Sequence, residues 1–222
     1  TGGDDGTAKV WLLEFSDGKI VSGREVLTLA GHTGIVIGVD FSPDGLFAIS
    51  GGDDQQVILW DLTNGQVNKY LEAHTGIVRA VEISPDGRLA VSGGFANDNM
   101  YEPGELILWE LTSGEEIRRF GGHVSGIVAA KFTPDGQSLL ASSGDAEIFS
   151  DQLSEEPLDI GTAPFDLILW DIESGKAIQH FKGSQDDAFS LAISPDGTRA
   201  LASSYYNNLA NLWYLENGQL LL

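Results

Sequence analysis

Short runs of alternating apolar and polar residues recur along the chain, separated by turn-forming clusters. "IVIGVDF", "IVRAVEI", "IVAAKF" and "FSLAI" each lead into a Pro-Asp-Gly turn: "FSPDG" at 41–45, "ISPDG" at 83–87, "FTPDG" at 132–136 and "ISPDG" at 193–197. "LFAIS", "RLAVS", "SLLAS" and "RALAS" follow those turns. Proline presets φ at the second turn position and glycine accepts positive φ, so each pair of runs predicts a β-hairpin. A second pair follows in every unit. "VILWDL", "LILWEL", "LILWDI" and "ANLWYL" lead through "TNG", "TSG", "ESG" and "ENG" into "QVNKYLE", "EEIRRFG", "KAIQHFK" and "GQLLL". Asn-Gly and Ser-Gly are again hairpin turns. Each unit thus predicts four antiparallel strands, a to d in order. No segment sustains a 3.6-residue period, so helix should be nearly absent.

The repeats are spaced rigidly. His32, His74 and His123 each stand eleven residues before Pro43, Pro85 and Pro134, and Ser184 holds that place before Pro195. The five tryptophans fall at 11, 60, 109, 170 and 213. Gly-His at 31–32 and 122–123, the Ser-Pro-Asp-Gly turn and Trp-Asp at 60–61 and 170–171 resemble WD40 repeats, whose units form the radial blades of a β-propeller. The departures are Ala73 before a histidine, Trp109-Glu110 and Trp213-Tyr214. The resemblance implies an all-β fold of four complete four-stranded antiparallel blades plus a partial first blade. The units would be 1–31 (partial, strands c and d), 32–73, 74–122 with an insertion at 93–105, 123–183 with a long acidic insertion at 143–166, and 184–222. It also implies a structural tetrad of His32, Ser50, Asp54 and Trp60. A buried indole N–H needs an acceptor, and a buried imidazole needs partners on both nitrogens. Ser203, Asn207 and Trp213 keep the same spacings in the last unit, with Ser184 in place of histidine, which predicts a weaker tetrad.

The opening "TGGDDGTAKVW" overlays "SGGDDQQVILW" at 50–60, placing Thr1 on Ser50, Asp5 on Asp54 and Trp11 on Trp60. The first unit therefore reads as strands c and d alone, joined by a longer turn, "LEFSDGKIVSG". Closed propellers usually hold about six to eight blades. The expectation is a segment of a longer chain, or else copies that complete one ring in trans.

Charge narrows the choice of partner. The chain has 33 acidic and 12 basic residues, a net −21. That field repels phosphate backbones and anionic membranes and favours basic proteins, so the expected partners are proteins and other blades, not nucleic acid or membrane. There is no apolar run of about eighteen residues and no leader, which points to a soluble compartment, most simply the cytoplasm. Cysteine is absent.

Recurrent His, Ser and Asp could suggest a catalytic triad, but a nucleophile is needed once whereas packing recurs in every blade. Three of the four histidines occupy equivalent places in different blades and His180 stands alone on a d strand, so they predict no metal site. "GHTGIVIG" has phosphate-loop glycines but leads into a strand rather than a helix. No catalytic residues, metal or cofactor are expected. The two expanded b–c connections mix acids with aromatic and apolar residues, including Phe95 and Asp166. Their expected binding rim is Asp98, Tyr101, Glu102, Asp145, Glu147, Phe149, Asp151, Glu155, Glu156 and Asp159; a pre-organised calcium loop is not apparent. The reading is a non-catalytic protein-interaction scaffold or sensor module of a larger protein. The alternative is a self-assembling structural protein, with an enzyme well behind.

Overall fold

The structure, a computed structural model, describes residues 1–97, 102–144, 166–181, 188–204 and 209–222. All regular structure in those residues is β-strand. A two-stranded ribbon, β1 (Thr7–Ser16) and β2 (Lys19–Ala30), is followed by sheet I with β3 (Val36–Phe41), β4 (Phe47–Gly52), β5 (Val57–Asp61) and β6 (Gln66–Leu71). Sheet II holds β7 (Val78–Ile83), β8 (Leu89–Gly94), β9 (Glu105–Glu110) and β10 (Glu116–Arg119). Sheet III holds β11 (Ile127–Phe132), β12 (Ser138–Ser143), β13 (Asp166–Asp171) and β14 (Ala177–Phe181). Sheet IV holds β15 (Ala188–Ile193), β16 (Arg199–Ser204) and β17 (Ala210–Tyr214). Residues 220–222 run beside β17, where Leu212 and Leu222 and then Leu221 and Leu212 share backbone hydrogen bonds. Within each sheet the strands pair antiparallel in chain order, an arrangement of propeller blades that is not closed.

The turns between strands a and b are latched by side chains. The Ser42 hydroxyl donates to Asp44 Oδ1 at 2.6 Å and accepts from the Phe47 N–H at 2.9 Å, while Asp44 Oδ1 also accepts from the Leu46 N–H. The same latch recurs at Ser84 and Asp86, Thr133 and Asp135, and Ser194 and Asp196. Hydrogen bonds from Ser194 and Thr198 lower the Asp196 carboxyl to about 2. Serine and aspartate therefore add side-chain bonds to the φ preferences of proline and glycine.

Apolar side chains fill the space between neighbouring sheets. Trp60 packs with Leu29 and Ala8 of the ribbon, Trp109 with Ile49 and Leu59 of sheet I, Trp170 with Phe120 and Leu108 of sheet II, and Trp213 with Phe181 and Leu140 of sheet III. Each tryptophan thus fastens its own sheet to the preceding one. A Cβ on Gly31 would sit 2.9 Å from Trp60 Cη2, so the residue before His32 stays small to admit the indole. Gly122, at φ +126°, needs glycine for its backbone as well.

Inner strands are tied through carboxylates. The Ile83 N–H donates to Asp40 Oδ2 at 2.8 Å. The Phe132 N–H donates to Glu82 Oε2 at 2.5 Å, and Lys131 Nζ donates to Glu82 Oε1 at 2.8 Å. These acids satisfy edge N–H groups that have no strand partner on that side. Burial raises the Glu82 carboxyl above its ordinary value, with Lys131 opposing.

One expected turn is strand instead. "LEFSDGKIVSG" continues β1 and begins β2, and the reversal is two residues, Asp17 and Gly18, at φ 52° and 72°. Two positive φ angles in a two-residue loop match the twist of the flanking strands, so the hairpin extends rather than loops. Its tip is exposed on both faces, Phe15 at 65 % and Val21 at 61 %.

Candidate functional site

The structure brings His32, Ser50, Asp54 and Trp60 into one relay. Trp60 Nε1 donates to Ser50 Oγ at 2.8 Å, and Ser50 Oγ lies 2.7 Å from His32 Nε2. His32 Nδ1 lies 2.9 Å from Asp54 Oδ1. Indole can only donate and carboxylate only accept, so the protons run from Trp through Ser and His to Asp. Burial pushes the Asp54 carboxyl up, but the His32 bond and the Thr33 and Gln56 N–H groups together hold it below its ordinary value.

Sheet II repeats the relay with a different acid. Trp109 Nε1 donates to Ser92 Oγ at 2.7 Å, Ser92 lies 2.6 Å from His74 Nε2, and His74 Nδ1 meets Glu105 Oε2 at 3.1 Å. Arg119 extends the chain outward, donating to Glu105 Oε1 at 3.1 Å and to Glu116. Burial raises Glu105, yet His74, the Thr75 N–H and Arg119 outweigh it and lower the carboxyl.

Sheet III lacks the serine. Ala141 pairs with Ile168 and Ala130 as Ser50 pairs with Ile58 and Val39, so alanine holds the hydroxyl's place. Trp170 Nε1 donates directly to His123 Nε2 at 3.4 Å, and His123 Nδ1 bonds Asp166 Oδ1. Ser143 Oγ also donates to Asp166, at 2.5 Å. Asp166, expected in the acidic rim, therefore begins strand β13 and serves as the relay acid. Glu105 opens β9 in the same role. Both were legible in "ELILW" and "DLILW", which place an acid four residues before tryptophan.

Sheet IV departs furthest from expectation. Ala202 pairs with Asn211 and Leu191, the Ser50 position, whereas Ser203 pairs with Ala210 and Ser190, the Gly51 position. Ser203 therefore lies on the opposite face and is exposed. The b–c connection is one residue longer than in sheet I, so counting back from Trp213 lands one residue off, and one residue reverses the face. Ser184 and Asn207 lie outside the described residues. In the ribbon, Trp11 Nε1 donates to Thr1 Oγ1 at 3.2 Å, and Thr1 and Lys9 exchange backbone bonds. The overlay of Thr1 on Ser50 thus has a structural counterpart.

The rim residues are mostly beyond description. Asp98, Tyr101, Asp145, Glu147, Phe149, Asp151, Glu155, Glu156 and Asp159 lie outside the described residues. Glu102 is exposed and accepts from Asn97 Nδ2 at 3.3 Å. Phe95 is not a rim aromatic: it is 3 % exposed, its ring lies against Gly126, and Arg79 sits 5.9 Å over it. The strand ends are placed. β8 and β12 end, and β9 and β13 begin, at the same end of neighbouring sheets. Among the described residues no three His, Asp or Glu cluster to hold a metal ion, and no helix is long and apolar enough to cross a membrane.

The acids after Trp60, Trp109 and Trp170 latch their c–d turns. Asp61 Oδ1 accepts from the Thr63 N–H at 2.8 Å and its hydroxyl at 2.6 Å, Glu110 accepts from the Ser113 N–H, and Asp171 from the Ser174 N–H. Sequence comparison matches residues 23–61, 65–100, 114–149 and 175–214 to the WD domain, G-beta repeat. The chain belongs to the WD40 repeat family. Each matched stretch begins around the outer strand of one sheet and runs into the inner strands of the next, so a WD40 repeat in sequence straddles two blades. Among similar proteins, Protein HIR1 of Kluyveromyces lactis is 36 % identical over 75 residues, 29 % of this WD40 chain and 9 % of that protein. Small ribosomal subunit protein RACK1z of Arabidopsis thaliana is 59 % identical over 39 residues, 18 % of this chain and 12 % of that protein. WD repeat protein iqw1 of Schizosaccharomyces pombe is 46 % identical over 43 residues, 19 % of this chain and 5 % of that protein. The matches therefore span about a tenth or less of these relatives' own lengths.

Proposed function

We propose that this WD40 chain is a non-catalytic scaffold that binds partner proteins, basic ones above all, through the face carrying its long b–c connections. The carrying observation is the use made of the recurrent polar residues. In sheets I and II the serine hydroxyl is buried, accepts from an indole and faces a histidine nitrogen, so it has neither exposure nor a free role as a nucleophile. The relays hold blades, and individuality is left to the connections. Two of these are long, spring from adjacent sheets at one end, and carry acids on a chain of net −21. Long loops on a rigid scaffold are where binding usually resides. The family relationship supports the scaffold role, and the excess of acid supports partners that are neither nucleic acid nor anionic membrane.

The test is capture of a fluorescent lysine-rich 20-residue peptide by the full chain at low salt. Replacing Glu155, Glu156 and Asp159 together by Gln, Gln and Asn should weaken capture about tenfold while leaving Tm unchanged. Equal affinity of the two proteins would overturn the rim as the binding face.

A further inference from the structure

Each relay histidine turns Nδ1 to a carboxylate, which fixes a proton on that nitrogen and leaves Nε2 as the acceptor. What Nε2 meets differs between sheets. In sheets I and II it meets the hydroxyls of Ser50 and Ser92, at 2.7 and 2.6 Å. A hydroxyl donates one proton and offers two acceptor sites. It can therefore receive an N–H from a protonated imidazole while still accepting from the indole. In sheet III, Ala141 removes that oxygen, and His123 Nε2 accepts directly from Trp170 Nε1 at 3.4 Å. An indole N–H can only donate. A proton on Nε2 there sets donor against donor, and the buried indole loses its acceptor.

The surroundings decide how the ring responds. His123 is buried, and among the described residues Asp166 is the charged group bonded to it, a counter-charge for an imidazolium. The side chains packed round the Trp170 indole from sheets II and III, among them Leu106, Leu108, Phe120, Ile127 and Ile168, are apolar and cannot replace the lost bond. A charged ring thus moves toward Asp166 and away from the indole. Asp166 also accepts from the Ser143 hydroxyl at 2.5 Å and from the Val124 N–H at 3.3 Å. Ser143 ends β12 and Asp166 begins β13, so this one carboxylate clasps both ends of the long acidic connection. In sheet II, Glu105 holds His74 and the Thr75 N–H, but β8 ends in Gly94, which has no hydroxyl to clasp.

We propose that His123 is a proton-operated switch: protonation of Nε2 parts its ring from Trp170, shifts the Asp166–Ser143 clasp and sets a positive charge at the base of the 143–166 connection, so that a basic partner is released on acidification. Imidazole titrates within about pH 5–8, a range in which carboxylates and lysines of ordinary environment keep their charge. The effect on a partner rests on the rim as binding face, whereas the parting of ring and indole does not.

Two measurements on the full chain test it. The first is solvent exchange of the indole N–H protons by NMR at pH 7.5 and 5.5, with signals assigned through Trp60→Phe, Trp109→Phe and Trp170→Phe. On acidification the Trp170 proton should lose protection about tenfold relative to those of Trp60 and Trp109, which share the solvent and the temperature. His123→Gln, which keeps an acceptor and a donor but does not titrate, should abolish that change. Ala141→Ser should bring Trp170 into line with Trp60, and it serves if His123→Gln fails to fold. The second is capture of the lysine-rich 20-residue peptide, which should weaken about threefold between pH 7.5 and 5.5 in the unaltered chain and stay level in His123→Gln. Equal protection of the three indoles at both pH values, or a Trp170 response that persists in folded His123→Gln, would overturn the switch. A Trp170 response with level capture would overturn its link to the connection. Equal capture by the rim triple variant counts against the rim alone, because the indole measurement does not involve it.

Discussion

Sheets I and II on one side, and III and IV on the other, contain the same buried tryptophan in different polar wiring. In the first two, a serine hydroxyl stands between indole and imidazole. In the second two, alanine occupies that place, at 141 and 202. Yet Trp60, Trp109, Trp170 and Trp213 are all at most 5 % exposed, whereas Trp11, which keeps a hydroxyl partner in Thr1, is 45 % exposed. The indole N–H bond therefore does not decide whether the ring is buried. Packing against the preceding sheet does, and the polar relay adapts to whatever donors and acceptors the strand supplies.

The strongest way to break this comparison is to remove the rings. Trp60→Ala and Trp170→Ala should each cost about 3–5 kcal/mol, through lost contacts and the cavity left behind. Denaturant unfolding of both variants measures it. If Trp170→Ala cost far less than Trp60→Ala, the serine-bridged relay rather than the packing would carry the stabilisation.

A smaller effect isolates the relay acid. Asp54 has its carboxyl lowered in the fold, so it binds fewer protons when folded than when unfolded near its titration range. Its contribution is complete above the unfolded value of about 4 and is lost as pH falls through the lower folded value. Asp54→Asn should therefore reduce stability by about 1–2 kcal/mol at neutral pH, with the gap in Tm closing toward pH 3. A gap independent of pH would mean that the carboxylate charge is not what orients His32.

Much of the architecture was legible because its causes are local. Pro43, Asp44 and Gly45 sit beside the runs they join, and alternation marks each strand without knowledge of its neighbours. The relay was legible only in part, because its members come from separate strands. The acid's distance from serine depends on the length of the b–c connection: Asp54 stands in a short turn, while Glu105 and Asp166 return after long excursions at the start of strand c. Ser203 misled for a related reason, since a connection one residue longer preserves a count while reversing a face. Phe95 misled because position in a connection says nothing of which side chains turn back into the core.

The finest test restores the missing hydroxyl. In sheet I the His32 and Trp60 ring centroids are 6.4 Å apart with Ser50 Oγ bonded to both, and in sheet III those of His123 and Trp170 are 5.9 Å apart and bond directly. Ala141→Ser puts an oxygen where it can accept from the indole and donate to the imidazole, provided the rings separate by about the half-ångström that distinguishes the sheets. Two shorter bonds then replace one long one, against the cost of burying a hydroxyl and moving packed rings. The expected net is a gain below about 1 kcal/mol, read as a small rise in denaturation midpoint with an unchanged slope. A loss above about 1 kcal/mol would show that the rings cannot part. Sheet III would then be a separately packed solution to burying tryptophan, and the serine of sheets I and II would be tied to their own ring spacing rather than interchangeable between blades.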